Sequence, residues 1–400
     1  MTVTIYKSTD SSAPVLRGQG NSLVTVLDAI LVNGYGSKAS QGWADSFAHL
    51  VCSGTATGGS STTLVDTATN FVTAGVAVGM QVFRTADGKS SRITSITTTT
   101  NPNDTLNFTA YSPVTPTFAA LDAYTVDSSL RAYRQPVGSS NGFYMRVADN
   151  VHNQYARVRG YETMSDINTG TGPFPTDAQL SGGCYWHKSS SASAIAIPWI
   201  CAGNGKIFYF FAATFNGTWI SLCPGHFFGD FISYKTGDAY NTIIAMAFGT
   251  SYIGYLNDYD THEIAYSSNF TTQGGHYIPR RADQTGTSMA CGKFSDTHRD
   301  FGYGYLGSGA VPYPHPVSGG MSIAPVEIND YLSGASADQY ERGRLPGFWN
   351  ILHTYYTYYQ HGDTFNGVGT LAGKTFEVIG AMVSTYNGAF CIETSDTWDD

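Results

Sequence analysis

The stretch GTATGGSSTTLVDTATNFVTAGVAVGMQVFRTADGKSSRITSITTTTNPNDTLNFTA, residues 54–110, consists almost entirely of Thr, Ser, Val, Ala and Gly. Its flanks rejoin if it is removed: deletion would bring AHLV (48–51) against SLRAYRQP (129–136) and restore one β-rich run. An insertion of this kind is tolerated at an exposed loop tip whose two ends lie close together. The sequence therefore predicts a small β-module over residues 52–127, spliced into a discontinuous host domain of residues 1–51 and 128–400. Within the module LVDTATNF, MQVFRT, RITSITT and TLNFTA read as short strands, with turns at Ala86-Asp87-Gly88 and Asn101-Pro102-Asn103-Asp104. Several strands sharing one apolar face make a small barrel or sandwich that can be stable alone.

Outward from the module, GNSLVTVLDAILVNGYG is the clearest helix. Ser22 is placed to cap it, Leu23, Val26, Leu27, Ile30 and Leu31 form an apolar stripe, and Asn33-Gly34 ends it. GFYMRVADN and QYARVRGYETM alternate around a turn at Asp149-Asn150, which places Phe143, Met145 and Val147 on one face. Residues 163–192 are rich in Thr, Gly, Pro and Ser, a point at which the host could divide. Beyond them IAIPWICAG, IFYFFAATF, HFFGDFISY and NTIIAMAFG follow in quick succession, the spacing of an antiparallel sandwich or barrel. Residues 270–325 read as irregular. The fold class expected is mainly β: a sandwich or barrel-like host with one short N-terminal helix and an inserted small β-domain.

Only 13% of the 400 residues are charged, whereas Phe, Trp and Tyr make up 14%, with 27 tyrosines and 45 glycines. Soluble domains carry roughly 25% charge, so hydroxyls, amides and tyrosine must hydrate this exterior, or neighbouring subunits cover it. A formal charge of -9 excludes broad nucleic-acid binding, because basic residues do not cluster: Arg280-Arg281 and the pair Arg157 and Arg159 stand apart. The N-terminus lacks a basic segment followed by an apolar one, and no apolar run reaches 18 residues, so no secretory signal or membrane insertion is expected. Six scattered cysteines without CxxC spacing point to reduced thiols and to neither zinc nor a disulfide framework.

Candidate chemistry is sparse. GVGTLAGKT (367–375) lacks the glycine of a phosphate loop, with Val368 in its place, and reads as a hairpin turn. Asp258, Asp260 and His262 would share one strand face, a geometry open to a metal but without a calcium-loop glycine; a solvated strand end is the plainer reading. Cys223 and His226 are near in sequence, yet nothing there supplies a third, orienting group. Carboxylates such as Glu263, Asp300 and Glu341 cannot be paired for glycoside hydrolysis from sequence. No catalytic, cofactor or metal residue is assigned.

Three segments together resemble virion structural proteins of tailed bacteriophages: APVLRGQGNSLVTVLDAILVNGYGSKASQGW (13–43), NGFYMRVADNVHNQYARVRGYETMSDINTGTGPFP (141–175), and RGRLPGFWNILH (342–353) followed by GDTF, LAGKTF and ETSDTW. The module is similar to Thr-rich β-modules found at varied positions in phage particle proteins. The tract HTYYTYYQH (353–361) departs from the shorter polar stretch of such proteins. The resemblance implies a non-enzymatic particle component made in the host cytoplasm and located in the virion, in the tail or baseplate region. Capsid decoration, a fibre-attached position and an adhesin for a host-surface glycan or receptor are the alternatives. Its partners would be other virion proteins and copies of itself. Trp349, Tyr355, Tyr356, Tyr358 and Tyr359 are the candidate interface residues, since large aromatics dominate interface energetics.

Overall fold

The structure, a computed structural model, describes residues 2–98, 104–109, 115–177, 181–189, 192–213, 225–249, 273–279, 292–293, 315, 317, 319–331, 339–351, 360–379, 389–395 and 397–398. It is mainly β, and every pairing between its named strands is antiparallel. The apolar run around residue 207 explains the layering. Ile207–Ala212 is buried at every position, so its alternating side chains need cover on both faces. It lies inside a seven-stranded sheet running in order Thr4–Lys7, Trp199–Gly203, Ile207–Ala212, Gly225–Asp230, Thr242–Gly249, Gln273–Pro279 and Gly292–Lys293. The strand Gln273–Pro279 falls within the segment that reads as irregular in sequence.

One face of this central sheet presents Cys201, Phe208, Phe210 and Phe228 to the helix residues Leu23, Val24, Leu27 and Ile30 and to the inner face of a five-stranded sheet. That second sheet orders Cys184–His187, Tyr155–Tyr161, Tyr144–Ala148, Leu130–Arg134 and Ala44–Asp45. Met145 and Val147 point inward as the alternation predicts, with Phe143 packed beside them. The other face presents Ile200, Tyr209, Phe211 and Phe227 to Val326, Leu345 and Phe348 of a third sheet and to Trp398, which follows it. Its strands are Ile232–Ser233, Gln339–Ile351, Ala389–Glu393, Thr375–Ile379 and Thr364–Asn366, with Ile323–Tyr331 also on Gln339–Ile351. Each large aromatic buried between such layers contributes on the order of 2–3 kcal/mol of transfer free energy.

The helix begins differently from the sequence reading. Its cap position is Asn21, not Ser22, whose hydroxyl instead accepts the Arg17 N–H at 2.6 Å. The open N–H groups of Leu23 and Val24 go to one carboxylate oxygen of Asp149, at 2.8 and 3.3 Å. The α-helix Ser22–Leu27 then widens into a π-turn, Asp28–Asn33, and stops at Gly34, which has φ 75°.

Residues 50–127 form a second seven-stranded sheet, ordered Leu50–Thr55, Ala123–Asp127, Gln81–Arg84, Ser90–Thr98, Asp104–Phe108, Thr63–Val65 and Gly58–Gly59. Its first and last members are neighbours along the chain. Ala56 donates its N–H to Asp122, and Thr57 donates to Val65, both at 2.8 Å, so the chain changes pairing partner at this bend and closes a small barrel. Leu64, Phe71, Val82, Ile93, Leu106 and Val126 fill the interior, separately from the host layers. Gly54 is required by a close approach: a Cβ there would lie 2.6 Å from the Tyr124 hydroxyl. The first strand opens at Leu50, two residues ahead of the boundary expected at Cys52.

The stretch 163–192 is not a divide within the host. The chain leaves the five-stranded sheet at Tyr161 and re-enters the same sheet at Cys184, where Val158 pairs with Cys184. Between them the hairpin Thr163–Asp166 and Thr169–Thr171 packs Met164 against Ala132 and Tyr161. Cys52, Cys184, Cys201 and Cys391 are free thiols. No helix among the described residues is long and apolar enough to cross a membrane.

Candidate functional site

Of the interface residues nominated from sequence, Trp349 alone falls among the described residues. Trp349 lies in Gln339–Ile351, is half-buried, and sets its ring edge-on to Phe376 with centroids 5.9 Å apart. It fills a small core with Ile351, Val378 and Cys391, so it is a packing residue of the third sheet. Tyr355, Tyr356, Tyr358 and Tyr359 lie outside the described residues, as do Asp258, Asp260, His262, Cys223, Glu263 and Asp300. Glu341 is exposed. His226 is buried, stacks on Trp186 at 5.0 Å and donates through Nε2 to the His187 carbonyl at 2.8 Å. Burial pushes its pKa down to about 3, so it is neutral. The segment 367–374 joins Thr364–Asn366 to Thr375–Ile379 as a hairpin, and Lys374 turns to Glu393 at 3.0 Å.

Among the described residues a dense charged site lies at the root of the barrel, where the chain crosses from host to module and back. His49 precedes the first barrel strand, and Asp127 ends the strand that returns. Arg131, only 3% exposed, sits between them on the five-stranded sheet. Its Nη1 and Nη2 each donate to Asp127 at 3.0 Å, and its Nε donates to both oxygens of Asp28 at 3.2 and 3.1 Å. Asp45 stands 3.8 Å from the same guanidinium. His49 bridges two of the carboxylates, with Nδ1 2.8 Å from Asp127 and Nε2 3.4 Å from Asp45. Asp127 also accepts the Ser129 N–H at 2.6 Å, holding that residue at φ 56°.

Electrostatics follow from this geometry. Burial alone would raise Asp127, but hydrogen bonds from His49 and Arg131 outweigh it and hold the carboxyl at about 2. The hydrogen bond to Asp127 raises His49 above its ordinary value. Burial works against the charge on Arg131, yet Asp127 and Asp28 hold its pKa above the usual value. Asp45, short of a direct bond to a cation, is raised by burial. Among the described residues no group of three or more His, Cys, Asp or Glu is placed to hold a metal ion. Here the guanidinium already occupies the space between the carboxylates.

A second contact seats the barrel. Arg92 Nε, on Ser90–Thr98, donates to the Asn150 carbonyl of the host turn at 3.2 Å. The module is therefore held at its root and along one flank.

The outer face of the five-stranded sheet gathers arginines that are dispersed in sequence. Arg157 and Arg159 are two apart and share a face, Arg146 pairs across from Arg159, and Arg134 pairs across from Tyr144. The expectation that Arg157 and Arg159 make no cluster is corrected by this register. Their fork geometry suits carbonyl and carboxylate partners, and the excursion 163–183 supplies them. Arg146 donates to the Ile167 carbonyl at 2.7 Å, Arg159 reaches Asp177 at 2.5 Å, and Arg157 reaches the Gly183 carbonyl at 2.8 Å while lying 3.4 Å over the Tyr185 ring. The signal in the sequence was the Arg-x-Arg alternation within a strand. Its partners, far along the chain, carried none.

A scan against family models matches none, and no curated protein is significantly similar to the chain.

Proposed function

We propose that the chain is a non-enzymatic structural component of a tailed-phage virion, in the tail or baseplate region, acting through contacts with other virion proteins and with copies of itself. One observation carries the proposal beyond the sequence resemblance: several of the described cationic side chains are spent as fasteners between elements. Arg131 ties the barrel root, Arg342 of the third sheet holds Asp238 of the loop that leads to Thr242–Gly249, both side chains 1% exposed, and Lys7 ties the first strand to Glu377 at 2.7 Å. Among the described residues the exposed positions are largely Thr, Ser, Gly and Ala, while tyrosines are buried or half-buried except Tyr234; such a surface is poor in the repulsive charge that keeps monomers apart. Affinity in such assemblies comes from large areas, with single contacts contributing little.

The barrel adds a projecting surface to this framework. The arginine clusters among the described residues bind carboxylates to guanidinium groups, a geometry that suits fastening. The test is quantitative mass spectrometry of gradient-purified particles from a lysate of the host carrying the gene. The chain is expected at a fixed copy number relative to the known structural proteins. Its absence from intact particles, with monomeric behaviour of the purified chain at high concentration, would refute the proposal.

A further inference from the structure

The chain contains another buried ion pair whose surroundings differ from those of the barrel root. Lys188 and Asp149 are both 0% exposed, and Lys188 Nζ is in direct contact with Asp149 Oδ1. Asp149 follows the strand Tyr144–Ala148, and Lys188 follows Cys184–His187; the strand Tyr155–Tyr161 lies between them in the sheet. Both backbones are pinned, Asp149 N–H to the Ser129 carbonyl and Lys188 N–H to the Gln154 carbonyl, each at 2.9 Å. The other carboxylate oxygen, Oδ2, accepts the Leu23 and Val24 N–H groups at 2.8 and 3.3 Å. Lys188 Nζ also donates to the Gln19 carbonyl.

We propose that Lys188 and Asp149 are the site of a self-formed intramolecular isopeptide bond, an amide from Lys188 Nζ to Asp149 Cγ that staples the ends of two non-adjacent strands. The partners the structure provides match those of such a reaction. Charge on either group is disfavoured by burial, which raises the Asp149 pKa and lowers that of Lys188, moving the pair toward a neutral acid and a nucleophilic neutral amine. Nζ attacks Cγ, from which it is separated by the oxygen it already touches. Charge developing on Oδ2 is met by two fixed backbone donors, the arrangement that stabilises tetrahedral intermediates in acyl transfer. Oδ1 leaves as water, carrying two of the three ammonium protons. The third remains as the amide N–H, donated to the Gln19 carbonyl. The ammonium and carboxylate charges cancel, and no oxidant, metal or co-reactant is needed. Water exclusion favours the dehydrated product, and fixed positions of both groups supply the effective concentration that a bimolecular amide synthesis lacks.

The experiment is an intact-mass measurement on the full chain, purified and then unfolded in denaturant, followed by proteolysis and peptide sequencing. The expected result is a chain lighter by one water, with a branched peptide joining Asp149 to Lys188. Lys188→Arg should restore the full mass. Asp149→Asn should give a branched peptide of the same mass as the wild type, since ammonia leaves in place of water. A wild-type chain of full mass with two separate linear peptides overturns the proposal, as does a water loss confined to the peptide containing Asp149 or mapped to any other pair. The wild-type measurement decides the matter even if a variant fails to fold.

Discussion

Replacing Arg131 with methionine keeps most of the side-chain volume and removes the charge at the barrel root. The wild-type guanidinium makes four hydrogen bonds to Asp127 and Asp28, at 3.0 to 3.2 Å. Without it Asp127, Asp28 and Asp45, whose side chains are 11%, 22% and 18% exposed, face one another with only His49 between them. Removing one partner of a buried pair costs about 3–5 kcal/mol, and the partial hydration of these carboxylates places this case near about 3. That is roughly two powers of ten in the opening equilibrium. Hydrogen exchange read by mass spectrometry should accelerate accordingly at the two crossings, residues 49–55 and 123–131. All six tryptophans lie outside residues 50–127, so tryptophan emission follows the host alone. The pH dependence has a definite sign. Asp127 is held at about 2, below an ordinary value of about 3.9, so its contribution is present at neutral pH and lost as pH falls through that interval. The deficit of the variant should shrink over the same window. Unchanged exchange at both crossings, or a deficit independent of pH between about 4 and 2, would refute the reasoning.

Three further outcomes are expected. The raised pKa of His49 means that its contribution is complete below its unfolded value of about 6.5 and is lost as pH rises through the folded value. His49→Gln should therefore lower the urea midpoint at pH near 6 and leave it unchanged in alkali; with a third of the side chain exposed, the effect is about 1 kcal/mol or less. Gly160→Ala places a Cβ 2.2 Å from the Phe174 ring, which should displace the 163–183 excursion at a cost of about 1–3 kcal/mol and make it a site of limited proteolysis. Trp349→Ala should lower the melting temperature of the isolated chain, by about 2–4 kcal/mol of lost packing against Phe376; an unchanged melting temperature with lost assembly would restore Trp349 to an interface role.

The readable parts of this fold were those whose signal is local. The apolar stripe of the helix, the alternation about Met145 and Val147, and the doubly buried run at Ile207–Ala212 each carry their period in consecutive residues. Barrel closure was not readable, because it depends on Ala56 and Thr57 changing hydrogen-bond partners within one bend. Neither was the cap supplied by Asp149, which comes from 126 positions beyond Leu23. The root cluster combines Asp28, Asp45, His49, Asp127 and Arg131 from four elements. The flanking of a spliced module by His49 and Asp127 was the one trace of it in the sequence. The four outward arginines could be grouped only after the register of three strands was known. Trp349, nominated for an interface by aromatic size, also packs half-buried against Phe376 of a neighbouring strand, a contact with no local signal in the sequence.

The most direct test of the central claim is a cryo-electron-microscopy reconstruction of the intact particle. The account predicts density for the three host sheets buried broadly against neighbouring subunits, with the 50–127 barrel seated on its root and flank at the outside. A particle complete in every other protein but lacking this density, or one in which the host surfaces face solvent on all sides, would contradict it.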